Sequence, residues 1–316
     1  MAAPRRAQIV TAFAALYVIW GSTYLGIFLA IQSIPPFLMA GARFFLAGLI
    51  MFGIARMQGP LKSNWHDWRI SLVIGACLLV AGNGGVTISE KFVATGPASL
   101  IVATVPIYMT LLSWLVGMTR RPSGITWIGL AGGFLGVAVL LGPELRISGG
   151  SRAAIGMSIL LVTSFIWSAG SIYSRAVKHI AAPLFAAAQQ MFCGGLLLML
   201  VGVLTGELKN LHPEKITPLS LGAFAYLVLV GAIVGYTAYF WLLRNCEPAK
   251  VATYAYVNPV VAVFLGALFA HETITLRTLL AAALIIGSVA LIITVQQIKS
   301  KAMPALTSAI ETECAR

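Results

Sequence analysis

Two halves of this chain carry the same landmarks in the same order. Trp20 and Trp167 each follow an isoleucine, and the offset of 167 − 20 = 147 positions then continues without a gap. It pairs Pro36 with Pro183, Ala40 with Ala187, Phe45 with Phe192, Gly48 with Gly195 and Leu49 with Leu196. Tryptophan and proline are scarce, so the register is unlike a chance match. Ten apolar stretches fill the chain, five in each half. A repeat with an odd number of membrane spans must lie upside down relative to its twin, and inverted repeats of this kind build alternating-access carriers.

The membrane reading follows from composition. Hydrophobic residues make up 59% of the chain, charged residues only 9%, and the mean hydropathy is +0.93. Soluble domains carry roughly 25% charged residues. Spans are expected at 8–30, 36–56, 68–89, 95–118, 124–142, 154–177, 182–204, 218–242, 248–270 and 274–296. Each is close to the ~20 residues a membrane helix needs. The fold expected is all-α, with ten transmembrane helices in two inverted repeats, 8–142 and 154–297, and a polar cytoplasmic tail at 298–316. Gly142-Pro143-Glu144 and Ser148-Gly149-Gly150-Ser151 form a turn-rich connector between them. Arg5 and Arg6 precede a run of full spanning length, so the first span reads as an uncleaved anchor.

The net charge of +12 raises the question of nucleic acid, but its distribution answers it. With the N-terminus inside, fourteen Lys and Arg fall on the inner side and six on the outer, with Arg43 alone within a span. That asymmetry is the positive-inside rule, and it puts both termini in the cytoplasm. No nucleic-acid partner is expected. The expected partners are the lipid bilayer and a small-molecule substrate, with a monomer or an oligomer both open.

Catalytic chemistry has little to stand on. Asp67, the sole aspartate, lies in a loop, so no intramembrane aspartyl pair exists. His66, His179, His212 and His271 sit in loops or near span ends, and no phosphate-binding Gly-rich loop with Lys is present. The four cysteines have no metal-site spacing. No enzyme, cofactor or metal is expected.

Polar residues inside spans are costly and so mark function. Span 1 holds Trp20-Gly21-Ser22-Thr23-Tyr24, and span 3 holds Gly82-Asn83-Gly84-Gly85, where glycines are expected to open the backbone. Span 6 holds Trp167, span 7 Gln189 and Gln190, span 8 Tyr236 and Tyr239, and span 9 Tyr254, Tyr256 and Asn258. The expected substrate-binding set is Trp20, Ser22, Tyr24, Arg43, Asn83, Trp167, Tyr236 and Tyr254. Aromatics and hydroxyls in this mixture suit small neutral or zwitterionic organic molecules. Arg43 lies ~10 Å from the outer end of span 2, and its repeat mate is Gln190. Snorkelling to the interface and attraction of a substrate carboxylate are both open to it. Pro106 and Pro259 lie ~15 Å deep in spans 4 and 9 and are expected to break those helices beside a cavity. Gly129, Gly132, Gly133 and Gly136 in span 5, with Ala283 and Gly287 in span 10, are expected to pack the halves together.

Trp20-Gly21-Ser22-Thr23-Tyr24, followed by Pro35-Pro36 and Arg43-Phe44, resembles the drug/metabolite transporter superfamily. Within it the chain is similar to the bacterial ten-helix EamA-type transporters, in the YedA-like inner-membrane group. The segment from Asn258-Pro259 to His271-Glu272 fits that pattern in the second repeat, whereas Met118-Thr119-Arg120 departs from it in the first. The resemblance implies export or facilitated movement of amino acids, related metabolites or drugs across the inner membrane. It also implies a cavity built by helices 1, 3, 4, 6, 8 and 9, with helices 5 and 10 packing the halves. A passive channel for small organic solutes is the alternative.

Overall fold

The computed structural model describes residues 6–93, 98, 101–141, 150–269, 276–277 and 279–292. The connector at 142–149, Glu272 and the tail lie outside these. The described residues are helical apart from short turns. We label the helices α1 (Arg6–Ala30), α2 (Pro36–Gln58), α3 (Trp65–Ser89), α4 (Val105–Leu115), α5 (Gly124–Leu141), α6 (Gly150–Ala176), α7 (Pro183–Leu204), α8 (Pro218–Asn245), α9 (Tyr254–Phe269) and α10 (Leu279–Ile292). Six of them are long and apolar enough to cross a membrane, and α4, α5 and α10 are apolar but shorter. Starts are written locally. Proline opens α2, α7 and α8, where a missing N–H costs nothing. Asn64 caps α3 by accepting the Asp67 amide, and Thr217 caps α8 by accepting that of Ser220.

The inversion is visible in side-by-side packing. A Cβ on Gly41 would meet Met199, one on Gly48 would meet Phe192, and one on Gly202 would meet Leu38. Rising numbers on α2 meet falling numbers on α7, so these repeat mates run antiparallel. α5 and α10 do likewise, Gly129 against Ile292 and Gly136 against Ile285. The glycines of α5 therefore pack the halves, as their spacing predicts. Gly287 differs: a Cβ there would meet nothing within 4 Å, because that face of α10 turns away.

A carboxylate pins each end of the α2/α7 pair. Asp67, fully buried, accepts the Ile180 and Ala181 amides, both at 3.1 Å, just before α7. Glu207, also buried, accepts the Leu38 amide at 3.0 Å in the first turn of α2. Glu207 satisfies a donor that a helix start leaves unpaired, and Asp67 ties down two amides of the turn before α7. His179 lies 3.7 Å from Asp67. Its burial, reinforced by Arg244, holds its pKa below the ordinary histidine value, against the pull of Asp67.

The glycine cluster of α3 does not open the backbone. It winds Ala76–Gly84 into a π stretch, and α8 carries the matching stretch, Leu227–Val234. The widened turns keep their bonds and are braced from the opposite half. Thr163 donates to the Ala81 carbonyl at 3.0 Å, and the Trp20 indole N–H to that of Gly231 at 3.4 Å. π turns inside α-helices concentrate at functional sites.

Candidate functional site

The two repeat-mate tryptophans meet in the middle. Trp20 and Trp167 pack edge to face with ring centroids 5.6 Å apart. Around Trp20 stand Tyr236 at 5.0 Å, Tyr239 at 5.0 Å and Tyr254 at 4.9 Å. Two close approaches seat the indoles, each against a helix of the other half. A Cβ on Gly82 would lie 2.4 Å from Trp167, and one on Gly235 would lie 2.5 Å from Trp20. No larger residue fits either place without moving an indole, so these glycines are explained by ring contact.

Beside this cluster is a cavity of about 70 Å³. One water needs ~10–15 Å³ by that measure, so the site in this conformation suits a small guest. α1 contributes Trp20, Thr23 and Tyr24, α3 contributes Gly82 and Asn83, and α6 contributes Ser164 and Trp167. Tyr236 of α8 and Tyr254 with Asn258 of α9 close the opposite side. Arg43 reaches in from α2, a helix outside the six that the family resemblance implies.

Of the eight residues singled out from sequence, seven line this cavity. Ser22 does not. It donates to the Ile19 carbonyl and shares a hydrogen bond with the Tyr226 hydroxyl, facing a lateral groove between α1 and α8. The 100° advance per residue separates it from Thr23, which points inward. Thr23, Ser164 and Asn258 are cavity residues outside the set. Ser164 was legible in principle, since it lies one turn before Trp167 on the same helical face. Tyr239 and Ser171 bond to each other at 2.6 Å. Tyr256 donates to the Leu130 carbonyl at 3.1 Å, away from the cavity.

Of the two helix breaks expected at prolines, the structure has the first at Pro106 and not the second at Pro259. Turn residues Ala103 and Thr104 precede α4, whose second residue is Pro106, and Val102 and Val105 line the cavity on either side. In the second half the turn falls at Ala252 and Thr253, and Pro259 lies inside the unbroken α9. Thr253 holds that turn, donating to the Lys250 carbonyl and bonding to Tyr17 of α1 at 2.7 Å.

The cavity gathers polar atoms without partners. Arg43 is 1% exposed, so it does not snorkel, and its guanidinium lies 4.4 Å from the centre of the Phe44 ring. Its Nε and Nη1 are buried with no hydrogen bond. Neither do Asn83 Oδ1, Asn258 Oδ1 and Ser164 Oγ form one. Each such group costs roughly 1–3 kcal/mol when left unpaired in a dry site. Residues carrying unpaired donors and acceptors thus line one small cavity together with Trp20, Tyr236 and Tyr254. Among the described residues no cluster of His, Cys, Asp and Glu would hold a metal.

A family model described as the EamA-like transporter family matches residues 8–142 and 154–294. The chain belongs to the EamA-like transporter family. The inner membrane transporter YedA of Escherichia coli K12 is 36% identical over 279 residues, 88% of each chain. Escherichia coli K12 also has a protein named a probable amino-acid metabolite efflux pump, 28% identical over 85% of this chain and 89% of that one. A crystal structure with 20% identity superposes with a TM-score of 0.74, covering 91% of this chain and 98% of its own. It supports the fold alone. The EamA member described here is therefore a multi-pass inner-membrane transporter with a two-repeat architecture.

Proposed function

We propose that this transporter exports amino acids and closely related zwitterionic metabolites by alternating access. One observation carries the substrate class: residues with buried, unpaired atoms, donors on Arg43 and acceptors on Asn83 and Asn258, line one small cavity. A guest with a carboxylate and an ammonium group satisfies both sets. The carboxylate takes the Arg43 guanidinium, a charge-assisted contact stronger than a neutral one. The ammonium lies toward the Asn oxygens and the faces of Trp20, Tyr236 and Tyr254, which attract a cation. Seven residues of the sequence-derived set, with Thr23, Ser164 and Asn258, make the binding site. Ser22 is left out of it. The export direction rests on the relative named as an efflux pump.

Movement is assigned to the two repeats, 8–142 and 154–297, rocking about the cavity. The breaks before α4 and α9 supply the bending points, and the α2/α7 pair, tied by Asp67 and Glu207, supplies a stiff joint. Both termini lie in the cytoplasm, on the distribution of Lys and Arg.

The test is counterflow in proteoliposomes with a panel of amino acids, their analogues and aromatic cations. A carrier for zwitterions accelerates labelled uptake when unlabelled amino acid is trapped inside. Flux without acceleration, with single-channel conductance, establishes the passive-channel alternative instead. Transport of the cations alone removes the zwitterion reading.

A further inference from the structure

Arg43 is not the only charge buried near the cavity. Glu90 follows the last turn of α3, seven residues beyond Asn83 and four beyond Val86. Both of those residues line the cavity, and positions 83, 86 and 90 share one helical face. Glu90 is thus the next group outward on the cavity-facing stripe, ~10 Å beyond Asn83. Both of its carboxylate oxygens are shut off from solvent, and neither has a hydrogen-bond partner. The charged and titratable groups acting on it are Arg43 from α2 and Tyr24 from α1. Both of these line the cavity. Among the described residues no Lys or Arg forms an ion pair with it. A buried guanidinium and a buried carboxyl group therefore act on each other without touching, and Arg43 keeps the donors at Nε and Nη1 free for something else.

We propose that Glu90 is the counter-ion of Arg43 in the empty carrier and takes up a proton from water when a substrate carboxylate occupies Arg43. This rests on the reading of the cavity as a zwitterion site. The physical reason is competition. Two carboxylates cannot both stay ionised beside one guanidinium in a water-poor space. The substrate carboxylate bonds to Arg43 directly, so the more distant Glu90 gives up its charge. Linkage makes the effect reciprocal: substrate favours the protonated carrier, and protons favour the substrate-bound one. Glu90 then travels neutral with the substrate and releases its proton when the substrate leaves. Its position in the first repeat has no acidic match at 90 + 147 = 237, which is threonine, so one proton site per carrier is expected.

The experiment is isothermal titration of the purified full-length carrier with L-amino acids, at several pH values and in two buffers of different ionisation enthalpy. Above the pH at which Glu90 ionises in the empty carrier, the wild type should take up close to one proton per amino acid bound. Its affinity should fall about tenfold per pH unit above the pH at which Glu90 ionises. E90Q should bind at high pH with no proton uptake and a flat pH profile. R43Q should bind more weakly and also lose the proton uptake, which gives a second route should E90Q not fold. Amino-acid binding without proton uptake in the wild type overturns the inference and leaves the zwitterion site standing. That result would also fit Glu90 binding the substrate ammonium. Unchanged uptake in E90Q overturns it too. If counterflow and titration both find no amino acid bound, the reading of the site and this inference fall together.

Discussion

Arg43 on α2 and Gln190 on α7 are repeat mates, 147 positions apart, and both are buried. Arg43 enters the cavity, whereas Gln190 stays in packing, with its backbone against Gly75 of α3. The two halves share a backbone plan down to the matching π stretches, the antiparallel glycine contacts and a carboxylate at each end of α2/α7. They differ in the groups delivered to the centre. Shared features hold the shape, and departures from symmetry mark the chemistry. A symmetric carrier has no inherent way to orient an asymmetric guest, and a single cation on one side supplies one.

The two carboxylate clamps test the shared part most severely. Asp67→Ala strands one buried and one part-buried amide and should cost ~2–4 kcal/mol, and Glu207→Ala strands one buried amide and should cost ~1–3 kcal/mol. Thermal unfolding in detergent should rank them in that order; equal losses would mean that the ends of the pair are not held as the bonds imply. Glycine contact comes next. A Cβ on Gly195 would lie 2.3 Å from the Phe45 backbone nitrogen, whereas one on Gly53 meets nothing within 4 Å. Gly195→Ala should destabilise by ~1–3 kcal/mol through overpacking. Gly53→Ala should be neutral or gain up to ~1 kcal/mol from helix propensity.

Function should divide where the halves do. Arg43→Gln should weaken amino-acid binding by ~10–100-fold, the value of a charged hydrogen bond of about 1.5–3 kcal/mol. Gln190→Leu should leave affinity nearly unchanged. An equal loss in both would make the asymmetry irrelevant to binding.

Smaller effects sharpen the picture. His179 has its pKa lowered by burial, so it is neutral in the folded carrier near neutral pH. Stability from that site is complete above the ordinary histidine value of ~6.5. It is lost as pH falls from there through the lowered folded value. The protection factors of the Ile180 and Ala181 amides, relative to their intrinsic exchange rates, should therefore fall on acidification, and His179→Asn should flatten that response. Ser22→Ala should leave counterflow at the wild-type level, because Ser22 faces Tyr226 and not the cavity; a large loss would draw the lateral groove into the transport path.

Much of this was legible along the chain. Trp20, Trp167, Pro36 and Pro183 announce the repeat, and hydropathy places most helices within a few residues of where they form, α4 and α9 starting later than expected. Depth along a helix is also legible, since rise per residue is fixed. Direction around the helix is harder. In a membrane every face is apolar, so the amphipathic signal that separates core from solvent in water is weak. Ser22 and Thr23 are neighbours of similar chemistry, and nothing local says which turns inward. The glycines at 82–85 announce an unusual backbone, but whether it opens or widens depends on Thr163 and Trp167 across the interface.

The sequence by itself determined the membrane class, the two inverted halves, the family and most of the polar groups that matter, because composition and period are properties of the chain alone. Only the tertiary structure decided which of those groups meet. It brought Arg43 from α2 to Asn258 of α9, set Trp20 against Gly235 and Trp167 against Gly82, and left Glu90 above them with no hydrogen-bond partner. Those contacts join residues far apart in sequence, and their geometry comes from how helices of opposite direction pack, which no local pattern encodes.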